Sequence, residues 1–379
     1  MGIDTVLKKE GIEKIKPLDT LDVNRIAKNI SHKLVSRFGD YNLNESELFI
    51  SISRLNMYFA KMPEDLAGAK YSYINNSIYF NDQFDLDEIE ESAIHECIHY
   101  LQEVKDEKGK LSKMGLCNFQ TEGEKGLALN EAAVQLMAAE ALNREADRVK
   151  YFEIFLVTKS PDYYPLECVL LSEMMYFTGE YPLYHSTLYS DDVFKNDFCG
   201  RYGKKTYRII KDGIYNILRL ESELNNQMVY LQHIDNPKKA KQLNQAIELK
   251  KKKITNMFLE IQDCIMNNCF NVEMNMAKSV EELQAFKDKL YRFKDIIGFT
   301  AEYKNFNDFY IRKMKEFEQK KEYIEKYGTL VDKGTGKVCL ELVDTQTKSY
   351  SFFKRLLIKL GILSEINKGE MAYNRNKNK

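Results

Sequence analysis

The chain has 379 residues, 44% of them hydrophobic and 30% charged, proportions that support a folded core and exclude disorder over most of its length. No window approaches the about 18 consecutive apolar residues of a membrane span. The net charge of −1 is a cancellation: residues 1–200 carry 21 Lys and Arg against 34 Asp and Glu, and residues 201–379 carry 35 against 23, so an acidic half precedes a basic one.

The N-terminal segment has no apolar h-region, and Val6 stands where a myristoylation signal wants Ser or Thr. The seven cysteines include no CxxC pair, which favours reduced thiols and a cytoplasmic protein. Ile26, Ile30, Leu34 and Val35 predict a helix over 22–37. Tyr71-Ser72-Tyr73-Ile74 and Ser77-Ile78-Tyr79-Phe80, separated by Asn75-Asn76, predict a hairpin. Asp85 and Glu88 predict a capping box for a helix with Ile94, Cys97, Ile98 and Leu101 on one stripe. A loop holding Gly109, Gly115, Gly123 and Gly126 leads to a strong helix over 127–143. Helical patches and Tyr/Pro-rich loops fill 151–205. Two apolar stripes follow, Ile210 to Leu231 and Leu243 to Ile265, on either side of Asn236-Pro237. They predict a long antiparallel helical hairpin. Helices over 280–297 and 305–327, a β-hairpin over 330–343, a short basic amphipathic helix over 351–366 and a disordered tail complete the chain.

One motif carries chemistry: His95-Glu96-Cys97-Ile98-His99. Residues four apart share one helix face, so both imidazoles can meet one Zn²⁺. Glu96 projects beside that face, where it can take a proton from a Zn-activated water. The competing explanation is two structural histidines. A third ligand must come from elsewhere, and Glu131 is the best candidate. It sits among Ala132, Ala133, Val134, Leu136 and Met137, where an unpaired carboxylate is costly and a cation is the simplest partner. An exposed glutamate near a helix N-terminus is the alternative.

Together the two motifs resemble the gluzincin group of zinc metallopeptidases over residues 85–140. The resemblance implies that His95, His99 and Glu131 bind zinc and that Glu96 is the general base. It also implies that the 71–80 hairpin matches the edge strand such enzymes pair with an extended substrate. One position departs from the thermolysin-like pattern: Gln135 stands four residues after the glutamate ligand, where an Asp often orients a histidine. An amide oxygen can accept the imidazole N–H but raises ligand basicity less. An oxyanion donor is also required. The segment 181–189 offers His185, with Tyr184 and Tyr189 beside it, and Tyr163 and Tyr164 are rivals. His185 is the first choice, and ordinary loop aromatics remain an equal explanation.

Other features read plainly. Cys97 is a small core residue, and His32 and His233 are structural or exposed. Gly334-Thr335-Gly336-Lys337 lacks the upstream Gly and the following Ser/Thr of a phosphate loop. The run Lys250–Lys253 is solvated helix surface, with no nucleic-acid partner expected. The expectation is an α+β chain: a zincin-like catalytic domain (small sheet plus active-site helices) at 1–204, a mostly helical accessory domain at 205–366 and a tail at 367–379. Its function is expected to be zinc-dependent hydrolysis of a peptide or protein substrate. A zinc-stabilised binding or regulatory protein acting on a partner through its helical hairpin is the alternative. A closed fourth coordination position, with Cys117 as the obvious candidate, would favour that alternative. A peptidase directed by its basic module to one acidic or nucleic-acid-bound regulatory protein is a third.

Overall fold

The computed structural model describes residues 3–63, 68–297 and 304–327. The expected hairpin at 330–343, basic helix at 351–366 and tail lie outside them. A short helix α1 (Ile3–Lys9) and strand β1 (Glu13–Pro17) precede α2 (Thr20–Phe38), α3 (Glu45–Ser53) and β2 (Asn56–Lys61). Asp19 starts α2 by accepting the Asp22 N–H at 2.8 Å, and Asn44 starts α3 by accepting the Glu47 N–H at 3.1 Å. Strands β3 (Ala69–Ser72) and β4 (Ser77–Asn81) complete a four-stranded sheet in the order β1-β2-β4-β3. β2 and β4 run parallel and the other neighbours antiparallel. The β3–β4 hairpin is the one the sequence predicts. Tyr71 faces Ile78 and Ser72 faces Ser77, and Asn76 supplies the turn's positive φ of 49°.

Helix α4 (Glu90–Leu101) departs from expectation. The Asp85 N–H does bond Glu88 Oε2 at 2.9 Å, but this closes a turn before the helix, which begins at Glu90 without a side-chain cap. The predicted one-sided stripe is also too narrow, because every residue from Ser92 to His99 is buried. The reason is tertiary: α4 is enclosed by β3, α2 and α5 (Leu127–Ala141). Helix α5 is buried nearly all round, as a helix with apolar residues on every side must be. Three short strands, β5 (Glu103–Lys105), β6 (Leu111–Met114) and β7 (Cys117–Asn118), link the two helices. A two-stranded ribbon follows, β8 (Asp147–Tyr151) with β9 (Ile154–Thr158). The region read as patches and loops then folds as three helices, α6 (Pro165–Thr178), α7 (Glu180–Tyr189) and α8 (Val193–Tyr202). Gly179 and Gly203 punctuate these helices with positive φ.

The helical hairpin is present as α9 (Lys204–Gln232) and α10 (Pro237–Met276), broken where Asn236 caps the second helix through the Lys238 and Lys239 N–H groups. Its buried stripe is shorter than expected. Burial in α9 ends at Leu224 and in α10 begins at Ile247, leaving Met228 exposed. α11 (Val280–Ile297) and α12 (Lys304–Tyr327) pack against the base of the hairpin. There Phe177, Phe270 and Phe293 meet with ring centroids 4.9 to 5.5 Å apart. The described chain is thus α+β, and one continuous apolar core runs from Leu18 to Ile324.

Buried charge ties the two halves together. Glu122 receives Lys195 at 2.8 Å and also the buried Lys211 of α9. Burial opposes its ionisation, but the two ammonium groups hold its carboxyl below the usual range. Glu173 of α6 is the opposite case. It is fully buried, its Oε1 accepts from Gln262 of α10 at 2.6 Å, and burial pushes its carboxyl up to about 8. A carboxyl raised on folding contributes stability that is fully present below its unfolded pKa and is lost as pH rises through the folded value. Glu173→Gln keeps the acceptor for Gln262 and removes the titration. Chemical denaturation should therefore show the variant losing roughly 1 kcal/mol less than wild type between pH 7 and 9. Equal losses would contradict a protonated Glu173.

Candidate metal centre

The site forms where α4 and α5 cross inside the core. His95 and His99 are each 6% exposed and Glu96 9%. His95 Nε2 lies 3.0 Å from His99 Nε2, and Glu131 Oε2 lies 3.2 and 3.4 Å from the two nitrogens. Among the described residues these three side chains form the only group of ligand type, with atoms within 4.8 Å of one another. The structure therefore brings His95, His99 and Glu131 together as the spacing predicts. Burial opposes charge on Glu131 and on His99, but their mutual attraction prevails. Glu131 is held well below the usual carboxylate range and His99 is raised.

The outer nitrogens of both imidazoles are fixed by amides. His95 Nδ1 meets Gln135 Oε1 at 2.9 Å, and Gln135 Nε2 donates to Glu91 Oε1 at 2.6 Å. His99 Nδ1 meets Gln102 Oε1 at 3.3 Å, and that oxygen also accepts from Asn130 Nδ2 at 3.2 Å. Asn130 Oδ1 in turn accepts the Leu116 N–H at 3.0 Å. Each chain ends on a group of fixed polarity, a carboxylate in one case and a backbone N–H in the other. With the amides so oriented, both imidazoles donate from Nδ1 and turn bare Nε2 lone pairs toward Glu131 Oε2. Three acceptors meeting inside a core call for a cation or a shared proton. Two imidazoles and a carboxylate fit a divalent ion such as zinc, and the ion's identity is a matter for the proposal below.

Glu96 lies beside the group, its Oε2 accepting the Tyr71 N–H at 2.8 Å. The carboxylate is thereby anchored to β3, the edge strand of the sheet. Tyr71 is fixed in turn by its hydroxyl, which donates to Glu103 Oε1 at 2.8 Å.

Tyr164, a rival to His185 in the sequence reading, lies beside His95. Its ring stacks on His95 at 6.1 Å and 24°. The Glu131 charge, and then burial, raise its hydroxyl well above the usual phenol range. It holds a left-handed backbone conformation, φ 51° and ψ 43°, directly before Pro165. Such outliers concentrate at functional sites. Nothing in the local sequence separates Tyr164 from the chain's 24 tyrosines except its position before a proline.

His185 lies on α7, outside the ligand group. Its Nδ1 is 2.9 Å from Asp191 Oδ2, and its ring packs between Tyr181 and Tyr189. Tyr184 is buried against Phe38 and Tyr41. Cys117 is also outside the ligand group, its thiol facing Gly123 O at 3.5 Å. Cys97 is fully buried, while His32 and His233 are exposed. No known protein family, curated protein or solved structure matches the chain.

One glycine holds the His99 side of the site open. A Cβ on Gly115 would fall 1.9 Å from Asn130 Oδ1 and 2.5 Å from Gln102 Nε2, and the residue's φ is +52°. Gly115→Ala should destabilise the protein by about 2 kcal/mol or more, read by thermal unfolding, and weaken binding of a divalent ion at the group, read by chelator competition. Wild-type values in both would show that the crowding is relieved at no cost.

Proposed function

We propose that the protein is a zinc-dependent metallopeptidase of the gluzincin kind, hydrolysing peptide bonds with Glu96 as general base. The observation that carries this reading is the convergence of His95 Nε2, His99 Nε2 and Glu131 Oε2 beside an anchored but uncoordinated carboxylate. His95, His99 and Glu131 would hold the ion. A zinc ion in that place supplies Lewis acidity, polarising the scissile carbonyl and acidifying a water. Glu96 takes the proton from that water and returns it to the leaving amine. The Tyr71 N–H fixes which oxygen is anchored, leaving Glu96 Oε1 for the transfer. Tyr164, whose ring stacks on His95, is the neutral donor we assign to an oxyanion in place of His185. Strand β3, at the edge of the sheet among the described residues, supports the expectation that an extended peptide lies along it.

Glu96→Gln should keep stoichiometric zinc by elemental analysis and lose hydrolysis of a mixed peptide library. Tyr164→Phe should keep zinc and lower kcat by about 10²-fold. Undiminished hydrolysis by Glu96→Gln would remove the mechanism. Glu131→Ala should lose the metal, and full retention would remove the ligand assignment.

A zinc-stabilised binding protein is the second reading, and near-complete burial of the ligands favours it. The described residues supply three ligands and no fourth, a pattern of catalytic sites. Chelation separates the two. A structural ion should unfold the protein when removed, whereas a catalytic one should leave the fold intact, shown by unchanged far-ultraviolet circular dichroism.

A further inference from the structure

Beyond Gln135 the relay from His95 continues to the surface. Gln135 Nε2 donates to Glu91 Oε1 at 2.6 Å, and Glu91 Oε2 lies 3.0 Å from Arg144 Nη2. Glu91 is on the first turn of α4 and Arg144 follows the end of α5. The pair therefore bridges the two helices that carry the ligands. Gln135 is a side chain whose two ends are nearly the same size and opposite in polarity. Nothing in its own shape decides which end meets His95. Glu91 decides it: a carboxylate accepts only, so it takes the amide NH₂ and leaves Oε1 for the imidazole.

We infer that Glu91, held by Arg144, is a positioning residue: by orienting the Gln135 amide it fixes His95 as the Nδ1–H tautomer and turns a bare Nε2 toward Glu131. The inference rests on the reading of His95, His99 and Glu131 as metal ligands. It extends that reading to two residues outside the ligand group and explains how a neutral glutamine serves where a carboxylate is the commoner partner. If the amide reverses, its NH₂ faces His95, the proton moves to Nε2, and the lone pair is lost to the ion. The His99 relay ends instead on the Leu116 N–H, so the two histidines are oriented independently.

The test uses the full chain labelled with ¹⁵N-histidine, whose five rings report tautomer directly in the metal-free protein. Wild type should show His95 protonated at Nδ1. Glu91→Leu should give a tautomer mixture at His95 alone, leave the His99 ring signals unchanged, and weaken zinc binding about 10- to 100-fold in chelator competition. Glu91→Gln, whose amide must turn its NH₂ toward either Gln135 or Arg144 and so loses the acceptor-only polarity, should likewise mix the His95 tautomers and leave the His99 ring unchanged. A wild-type His95 spectrum and wild-type zinc affinity in Glu91→Leu would overturn the inference, as would equal disturbance of both rings. If Glu91→Leu does not fold, Gln135→Met removes the same acceptor at similar length, and an unchanged His95 spectrum there is equally decisive. The metal reading fails separately: wild type that binds no zinc while showing the expected tautomer would sink the ligand assignment and leave the orientation of His95 standing.

Discussion

Burial of three metal-type ligand atoms in an otherwise apolar core is the constraint on which the rest of the site depends. Helix α5 is lined with alanine, leucine, valine and methionine, and Asn130, Glu131 and Gln135 interrupt that lining where it meets α4. Each serves the centre: Glu131 as a converging oxygen, Gln135 and Asn130 as links in the relays behind His95 and His99. Polar groups in such a place are costly unless every one is paired. The surrounding structure reads as the set of partners that pairs them. The small residues of α5 let α4 come close enough for the imidazoles to reach Glu131, and Gly115 leaves room for Gln102 and Asn130.

The same constraint accounts for what lies around the helices. The sheet ends in β3, which passes the Tyr71 N–H to Glu96 instead of to another strand. The αL turn at Tyr164 brings a phenol over His95. The helical half is packed directly onto this scaffold, since α9 and α10 share one core with α5 and α6. Lys211 reaches from α9 to Glu122 just ahead of α5. The opposite charges of the two halves meet at that contact, so part of the basic excess serves internal docking. The far end of the hairpin, past Leu224 and before Ile247, has no fully buried side chain, and only Leu231 and Leu243 there pack in part against the core.

What was legible in the sequence was local. The His95–His99 spacing encodes a shared helix face because the helical repeat is 3.6 residues. Glu131 stands out because a charge in an apolar helix needs a partner. Asn75-Asn76 and Asn236-Pro237 mark their turns through backbone preferences that hold in any context. Signals that depend on neighbours were not legible. The Ile94–Leu101 stripe suggested a half-buried helix, yet α4 is enclosed on all sides by elements distant in sequence. Met228 continues an apolar period but stays 43% exposed.

The sequence by itself determined which residue types are present at ligand spacing and where the long helices begin and end, and it marked Glu131 as a candidate third ligand. Only the tertiary structure decided that the three atoms converge, that Tyr164 packs on His95 while His185 packs between Tyr181 and Tyr189, and that Gln135 meets Glu91. The reason is physical. Helical periodicity and capping act within a few residues along the chain, whereas hydrogen-bond polarity and burial are settled by groups such as Glu91 and Gln135, 44 residues apart, that meet only when the core closes.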